Sequence, residues 1–280
     1  MKITKFHTGI ALTTSLLLAA LTGCGAANTA SSSGSASSST SVSASSNSAK
    51  KHTSFFVKDN GDGTKVIKDI DGKEVTVPTN PERIADLWHA NNQVVLLLGG
   101  AEKLVSTTTN VKSLAWFKQV YPGIQKVDAP VKGTDVNMEQ LLADKPEVLL
   151  ASSKEQIAKA AEAGIPAVHV EFQNFADLKR TVELTAEVIG TDEAIERAEK
   201  YLAYLKKNEN LIKERLQGVT ESPKVLHIAG GSDLTKVDGS NSLIGEWMKL
   251  SGAKNSLDGV ENLKNISLEQ IIASQPEYII

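Results

Sequence analysis

The stretch from Asn174 to Gly218 is the longest unbroken helical signal in the sequence, and it limits which folds the chain can adopt. Apolar residues recur three and four positions apart on both sides of Gly190, as they do along the buried face of an amphipathic helix. Thr191, followed by acidic residues, is typical of a helix start. The pattern predicts two helices in tandem, the second running from Asp192 to Gln217 over about 40 Å. A helix of that length can run along two lobes.

One short motif occurs on both sides of these helices. Residues 137–150 and 267–280 align at an offset of 130 positions, with identical Glu, Gln, Ala, Pro and Glu residues and matching apolar positions. Each copy predicts a capped helix, a stop at proline and a buried strand. An internal repeat placed in this way indicates two lobes of similar topology.

A hairpin and a βαβ unit can be placed ahead of the first copy of the repeat. Residues 64–77 predict a β-hairpin with Asp71-Gly72 at its turn. Residues 81–107 then give strand, helix and strand with short joints, which is the pattern of a parallel sheet. Open α/β sheets bind ligands at the carboxyl ends of their strands, so Trp88, His89 and residues 107–110 should meet at that edge.

Together these elements predict an α/β protein with two similar parallel-sheet lobes joined by one long helix. We expect an N-terminal lobe at residues 53–173, interlobe helices at 174–218 and a C-terminal lobe at 219–280. A second lobe built like the first needs further helix and strand units. We therefore expect the second lobe to be truncated in this sequence.

The N-terminal segment predicts export and lipid attachment. Two lysines precede an apolar run from Ile10 to Leu21, which is too short to span a bilayer comfortably and indicates a signal peptide at residues 1–23. The run ends in Leu21-Thr22-Gly23-Cys24, which resembles the lipobox of bacterial lipoproteins, so Cys24 is the expected acylation site. Cys24 is also the only cysteine, which excludes disulfides within the chain. The Ser- and Ala-rich residues 24–52 predict a flexible tether.

Composition and motifs argue against two classes of function. The formal net charge is −3 at pH 7, and the acidic and basic residues are interspersed, so no basic face for nucleic acid is expected. No Gly-rich phosphate loop follows a strand, and no nucleophile elbow is present. We therefore expect a protein that is not an enzyme.

Several segments together resemble the lipoproteins that deliver iron-siderophore, haem and cobalamin complexes to ABC importers. They are Asp71 to Pro78 leading into Pro81-Glu82-Arg83-Ile84, the two copies of the repeat, residues 237–255 and the long helix. The resemblance covers about residues 64–280. It implies a class III substrate-binding protein with the ligand in a cleft between two lobes that close little. It also implies a monomer held by its lipid at the extracytoplasmic face of the cell membrane.

The resemblance further implies a docking role for two acidic residues. In that family one acidic residue on each lobe docks an arginine pocket of the permease, and these acids stand where Glu139 and Glu269 stand here. Two carboxylates at matching points of two similar lobes suit the permease dimer that works with its ATPase. The alternative is that each Glu only complements the dipole of its helix N-terminus.

The candidate ligand-binding residues come from the predicted cleft edge and from a nearby aromatic loop. They are Trp88, His89, Asn91, Thr108, Asn110 and Trp116. His89 stands at the end of a strand and could complete the coordination of a chelated metal. Aromatic side chains at these positions suit a large, partly apolar chelate, although each can also belong to the core.

The ligand we expect is an iron(III)-siderophore-type chelate, and no cofactor is expected. Haem, a corrinoid or a nickel chelate remain alternatives within the same class. A receptor for bare zinc or manganese, or an adhesin that has kept the fold, remain alternatives outside it. His169 and His227 lie inside apolar strands, where a hydrogen-bonded core imidazole is expected rather than a metal ligand.

Overall fold

The computed structural model describes residues 50–133 and 135–280. The expected signal peptide, Cys24 and nearly all of the expected tether lie outside these residues. The first described elements are strands β1 (Phe56–Asp59), β2 (Thr64–Lys68) and β3 (Glu74–Pro78), which pair antiparallel in that order. The predicted hairpin is β2–β3, and Gly72 at its turn has the positive φ of 85° that favours glycine.

The folded body begins earlier than the sequence predicts. His52 falls in the expected tether, but its Nδ1 atom lies 3.0 Å from Glu187 Oε1 and its ring stacks on Phe56 at 3.5 Å. Glu187 is fully buried and also binds Lys65 Nζ at 3.0 Å. Burial alone would raise the pKa of Glu187, but Lys65, the Thr53 N–H and His52 together hold it below its ordinary value. A buried carboxylate needs such partners, and the start of the body supplies two of them.

The first lobe is built on a sheet of strand order β7-β6-β5-β4-β8-β9, parallel except for β7. Its strands are β4 (Ile84–Asp86), β5 (Leu104–Thr108), β6 (Asp128–Lys132), β7 (Asp135–Val136), β8 (Val148–Ala151) and β9 (Ala167–His169). Its helices are α1 (His89–Leu97), α2 (Thr109–Ser113), α3 (Ala115–Val120), α4 (Met138–Ala143) and α5 (Lys154–Glu162). The predicted βαβ unit is β4–α1–β5, with Ile84 beside Leu104 in a parallel pair.

Buried apolar side chains cover both faces of this sheet. Ile84, Val148 and Leu150 belong to one cluster together with residues of α1 and the interlobe helices. Ala85 and Leu149 belong to a second cluster, with Leu141 of α4. Successive residues of a strand point to opposite faces, so buried parallel strands need apolar residues at every position.

The interlobe segment forms the two tandem helices predicted from the sequence. They are α6 (Phe175–Ile189) and α7 (Asp192–Arg215), and Gly190 joins them with a φ of 77°. A Cβ atom at Gly190 would lie 2.1 Å from the carbonyl oxygen of Thr79, so glycine is required there for close packing as well. At 24 residues, α7 is about 36 Å long.

The second lobe contains strands, mostly short, around β10 (Lys224–Gly230). β10 is parallel to β12 (Lys254–Asn255) and β14 (Tyr278–Ile279) and antiparallel to β11 (Asp233–Asp238), which pairs with β13 (Lys264–Asn265). Its helices are α8 (Leu243–Leu250) and α9 (Leu268–Ala273). The α/β class and the parallel pairing around β4 and β10 confirm the predicted fold class.

The repeated motif adopts the same local structure in both lobes. Asn137 caps α4 through the N–H of Gln140, and Ser267 caps α9 in the same way through Gln270. The repeated Glu ties its strand to the first strand of the lobe, because Glu147 accepts the N–H of Arg83 at 3.0 Å and Glu277 accepts that of Lys224 at 3.0 Å. These carboxylates therefore have a structural role that the sequence did not reveal.

Candidate functional site

Two hollows flank the segment that leads from β9 into α6. The first, which we call the apolar groove, has a volume of about 700 Å³ and lies among α1, α3, α6 and α7, with one residue of α8. Its lining includes Ala90, Gln93, Trp116, Phe172, Tyr201 and Leu243. The second, a polar notch of about 490 Å³, lies between Gln173 and residues 261–264 of the second lobe. Both hollows thus combine residues of the two lobes.

The start of α6 is held directly against the second lobe. The backbone N–H of Phe175 donates to Glu246 Oε2 of α8 at 2.6 Å. Further along the two interlobe helices, Lys179 of α6 and Glu209 of α7 form an ion pair at 2.5 Å. A carboxylate at a helix start satisfies an N–H that has no partner within the helix. The first of these contacts ties the start of α6 to the second lobe, and the other ties α6 to α7.

A buried polar network supports the turn between β4 and α1. Asp86 is fully buried, and its carboxylate accepts the N–H of Trp88 at 3.1 Å and Asn91 Nδ2 at 3.0 Å. Burial raises the pKa of Asp86 well above its ordinary value, and the two hydrogen bonds offset only part of that effect. Asn92 Nδ2 donates to Asp86 O at 2.9 Å, and Thr107 Oγ1 donates to Asn92 Oδ1 at 2.7 Å. The network fixes the backbone that carries Trp88 and His89.

The aromatic candidates lie at or beside the apolar groove. Trp88 is half-buried and contacts Phe172, with ring centroids 4.8 Å apart and tilted by 53°. Trp116 lines the groove, is 37% exposed and stacks on Phe117 at 3.8 Å. His89 is exposed at the first residue of α1. These three residues are accessible to a ligand, and their role in binding stays a prediction.

The polar candidate residues, Asn91, Thr108 and Asn110, are on the whole less accessible to a ligand than the aromatic ones. Asn91 is fully buried and bonded on both sides, to Asp86 and to Thr185, so it has no exposed atom to offer a ligand. Thr108 is 7% exposed and its hydroxyl accepts the N–H of Val111 as the cap of α2. Asn110 is exposed within α2. Asn91 and Thr108 were expected in the cleft because they follow strand ends, but in the structure their polar side-chain atoms serve the turn and the helix there.

Phe172 and Leu243 line the apolar groove although the sequence did not single them out. Phe172 follows β9 by three residues, so its place after a strand end was a usable signal. Leu243 begins α8 in the second lobe, and only the tertiary structure brings it to the first lobe. Residues that approach from another lobe leave no local signal in the sequence.

The two strand histidines differ from each other. His169 is 3% exposed and bonded, with Nδ1 3.0 Å from Asp71 Oδ2 and Nε2 3.2 Å from the Ser152 carbonyl, as expected for a core imidazole. The His227 side chain is 27% exposed, and its Nδ1 lies 2.8 Å from buried Asp238 Oδ2. That contact lacks hydrogen-bond geometry, so His227 Nδ1 has no hydrogen-bond partner among the described residues. The expectation of a core position therefore fits His169 better than His227.

Glu139 and Glu269 occupy equivalent positions in the two lobes. Each is exposed in the first turn of its helix, Glu139 on α4 and Glu269 on α9. Hydrogen bonds from its own backbone N–H and from Ser267 hold the pKa of Glu269 below its ordinary value. Both residues are exposed to solvent, and their docking role stays a prediction.

A separate polar cavity of about 600 Å³ lies at the amino ends of β4, β5 and β6, beside Arg83 and Asp144. Burial raises the pKa of Asp144, and nearby Asp128 adds to this, while the hydroxyl of Ser106 at 2.6 Å opposes it. Ligands of open α/β sheets bind at the carboxyl ends of the strands. We therefore do not favour this cavity as the functional site.

In residues 50–133 and 135–280, no three His, Cys, Asp or Glu side chains are grouped so that they could hold a metal ion. None of the helices that the structure describes has both the length and the apolarity needed to cross a membrane.

Comparison with known proteins decides the family. A family model described as "Periplasmic binding protein" matches residues 84–280. The chain belongs to the periplasmic binding protein family. This binding protein is 24% identical over 276 residues to the uncharacterised ABC transporter substrate-binding lipoprotein YvrC of Bacillus subtilis (strain 168), which covers 95% of this chain and 78% of the relative. The family resemblance read from the sequence is confirmed.

Solved structures show the same fold. The molybdate-binding protein MolA of Haemophilus influenzae is 24% identical to this binding protein over 242 residues, covering 77% of this chain and 68% of the relative. Its structure bound to molybdate superposes with a TM-score of 0.68 at 22% identity, over 77% of this chain and 73% of that one. CeuE of Helicobacter pylori, in a nickel-histidine complex, gives a TM-score of 0.63 at 21% identity, over 77% and 70% of the two chains. The relatives with curated names are transport proteins and not enzymes.

Proposed function

We propose that this binding protein is the lipid-anchored substrate-binding component of an ABC importer. In this proposal it holds an iron(III)-siderophore-type chelate between its lobes and delivers it to the permease. The observation that supports it best is the apolar groove, lined by Trp116, Phe172 and Tyr201 from the first lobe and the interlobe helices and by Leu243 from the second. The groove has about 700 Å³, within the range of roughly 300–1,000 Å³ that small-molecule sites occupy.

The chemistry of the groove favours a large, partly apolar ligand. Aromatic rings offer extended apolar contact at a low cost in conformational entropy. A compact oxyanion such as the molybdate named for MolA requires several donors that converge on it. Arg197 also lines the apolar groove, where it donates to Glu193 at 2.8 Å, and one exposed, paired cation is fewer than the several donors that an oxyanion requires. These features support an organic chelate over a bare oxyanion.

A titration compares the candidate ligands. We would add ferric siderophores, haem, cobalamin, nickel-histidine, molybdate and the divalent ions of zinc and manganese to the mature chain and follow tryptophan fluorescence. We expect saturable quenching by a ferric chelate, weakened in Trp116→Ala and unchanged in Trp247→Phe, because Trp247 does not line the groove. Saturable quenching by molybdate or a bare ion, with none by any chelate, would refute the proposal.

Cys24 is proposed to carry the lipid that holds the protein at the extracytoplasmic face of the membrane. The Leu21 to Cys24 motif and the name of the lipoprotein relative YvrC support this. Cell fractionation of a Cys24→Ala variant should move the protein from the membrane to the soluble fraction. Membrane association equal to that of the parent would contradict acylation at Cys24.

The permease contact is proposed to lie at Glu139 and Glu269. Both are exposed on equivalent helices, which places one carboxylate on each lobe. A permease made of two like subunits would meet the two carboxylates with two like basic pockets. The matching test is an uptake assay with both residues replaced, described below.

A further inference from the structure

The helix α6 carries two buried threonines, one turn apart, whose hydroxyls bond to residues next in the chain or close to Phe172 and Trp88, the two rings in contact beside the apolar groove. Thr181 and Thr185 are both fully buried. Residues four apart lie on the same face of a helix. Threonine inside a helix is a weak helix former, so two such residues on one buried face call for a reason beyond propensity.

Thr185 is linked to the backbone of Trp88 through a chain of hydrogen bonds. Its hydroxyl donates to Asn91 Oδ1 at 3.0 Å, and Asn91 Nδ2 donates to Asp86 Oδ2 at 3.0 Å. The other carboxylate oxygen of Asp86 accepts the N–H of Trp88 at 3.1 Å. Thr185, Asn91 and Asp86 are each fully buried, so water cannot replace a lost partner without opening the core.

Thr181 is linked to the other ring of the pair. Its hydroxyl donates to the carbonyl oxygen of Glu171 at 2.7 Å, and Glu171 is the residue immediately before Phe172. The rings of Trp88 and Phe172 are 4.8 Å apart at 53°, a tilted geometry that depends on both backbones keeping their places.

We propose that Thr181 and Thr185 are positioning residues, which couple the interlobe helix α6 to the Trp88–Phe172 pair and thereby preset the aromatic wall of the apolar groove. The contact between the Trp88 and Phe172 rings connects the β4–α1 turn with the segment that follows β9. The hydroxyls of Thr185 and Thr181 link these two segments to α6. Any displacement of α6 would then be transmitted to both rings at once. The effect on ligand affinity rests on the proposed function, but the geometry of the ring pair does not.

The test reports on Trp88 without any ligand. In the full mature chain, Trp116→Phe and Trp247→Phe leave Trp88 as the only tryptophan. Thr181→Val and Thr185→Val remove each hydroxyl at nearly constant volume, and Thr181→Ser and Thr185→Ser restore it. Thr79→Val is the matched control, because the Thr79 hydroxyl is buried near the end of α6 and has no hydrogen-bond partner among the described residues.

We expect both Val variants to weaken the near-ultraviolet circular dichroism of Trp88 and to increase its quenching by acrylamide. The Ser variants and Thr79→Val should match the parent. Ala variants at both positions provide a second set should a Val variant fail to fold. A Trp88 signal that is unchanged in the folded Val or Ala variants, or changed equally in the Ser variants or in Thr79→Val, would overturn the proposal.

Ligand affinity is measured separately, in a chain that keeps all its tryptophans. Loss of one positioning hydrogen bond should weaken binding of a ferric chelate about two- to tenfold, the usual net worth of such a bond. Absence of chelate binding by the parent would contradict the proposed function and leave the spectroscopic result for Trp88 to decide the positioning role by itself.

Discussion

The two lobes contain the same repeated motif, yet they bury it differently. In the first lobe Val148, Leu149 and Leu150 are each 0% exposed, whereas their counterparts Tyr278, Ile279 and Ile280 are 60%, 60% and 55% exposed. Strand β8 lies between β4 and β9, while β14 pairs with β10 and, among the described residues, with no other strand. Local structure therefore follows the repeat, but burial follows what packs around it.

The two copies of the repeat agree in strand register and in backbone conformation. Val148 pairs with Ile84 and Tyr278 pairs with Val225, so the repeated strand has the same register against the first strand of each lobe. Lys145 and Gln275 both adopt positive φ values, of 48° and 46°, ahead of the repeated proline. Capping, turn and register need only neighbouring residues, which explains why one motif gives one local structure twice.

The largest effect, a loss of uptake, is expected at the equivalent exposed glutamates of the repeated helices, Glu139 and Glu269. Replacing both Glu139 and Glu269 by Ala should abolish uptake of the chelate, because the permease would lose its contact with each lobe at once. Each single variant should lose part of the uptake. The assay is uptake by cells, with expression level, melting temperature and chelate affinity as controls. Normal uptake by the double variant would show that these exposed acids do not dock the permease.

The next largest effect is expected at a buried ion pair between β2 of the first lobe and α6. Lys65 and Glu187 form an ion pair whose side chains are 0% and 1% exposed. Lys65→Met leaves the Glu187 carboxylate buried without its cation, so it should lower the free energy of unfolding by about 3–5 kcal/mol. Urea denaturation measures this loss. Lys65→Met combined with Glu187→Gln should recover a large part of it, and a double variant as unstable as the single one would contradict the ion-pair account.

The repeated strand allows a matched pair of substitutions. Leu149→Ala removes a fully buried side chain and should cost about 2–5 kcal/mol of unfolding free energy. Ile279→Ala, at the equivalent position with 60% exposure, should cost clearly less, because little apolar surface returns to water. Urea denaturation of both variants gives the comparison. Equal losses would mean that the two strands are buried alike in solution.

Asp86 and His227 occupy equivalent positions on β4 and β10, judged from the strand register. The folded-state pKa of Asp86 is raised by burial, so its contribution to stability is present at low pH and declines as pH rises from about 4 toward that pKa. Asp86→Asn removes the titration, and the Asn91 amide can turn over to accept from the new donor. The melting temperature of the parent should therefore fall relative to the variant as the pH rises from about 4. Parallel curves would contradict a buried, titrating Asp86.

The smallest expected effect is on the arrangement of the lobes. Helix α7 is continuous over 24 residues, and α6 is bonded to α8 through Phe175, so binding should change the radius of gyration by less than hinged binding proteins show. Small-angle scattering with and without the chelate measures this. A clear compaction upon binding would indicate a hinge between the lobes.

The sequence predicted the parts of the structure that depend on local pattern. The period of apolar residues located α6 and α7, and the repeat located α4–β8 and α9–β14. Strand β1 was missed because Phe56 to Asp59 is short and mostly exposed, without the alternation that marks a half-buried strand. The place of Asn91 was also missed, because an amide on a helix shows no sequence sign of a buried hydrogen-bond network.

The candidate site could be predicted only in part, because sequence patterns report local structure and not the contacts between distant elements. Trp88 and His89 follow the end of β4, so topology alone brings them to that edge of the sheet, whereas Trp116 lies in α3. Leu243 reaches the apolar groove from a different lobe, and Phe172 lies in the segment between β9 and α6. Contacts between lobes depend on the orientation of whole elements, which single residues do not encode.

We propose above that an iron(III) chelate binds between the lobes at the apolar groove. The most direct measurement is diffraction at the iron absorption edge from crystals of the mature protein grown with a ferric siderophore. We expect one anomalous peak between Trp116 or Phe172 of the first lobe and Leu243 of the second. A peak at the amino ends of β4 to β6, or none at a saturating concentration of chelate, would contradict it.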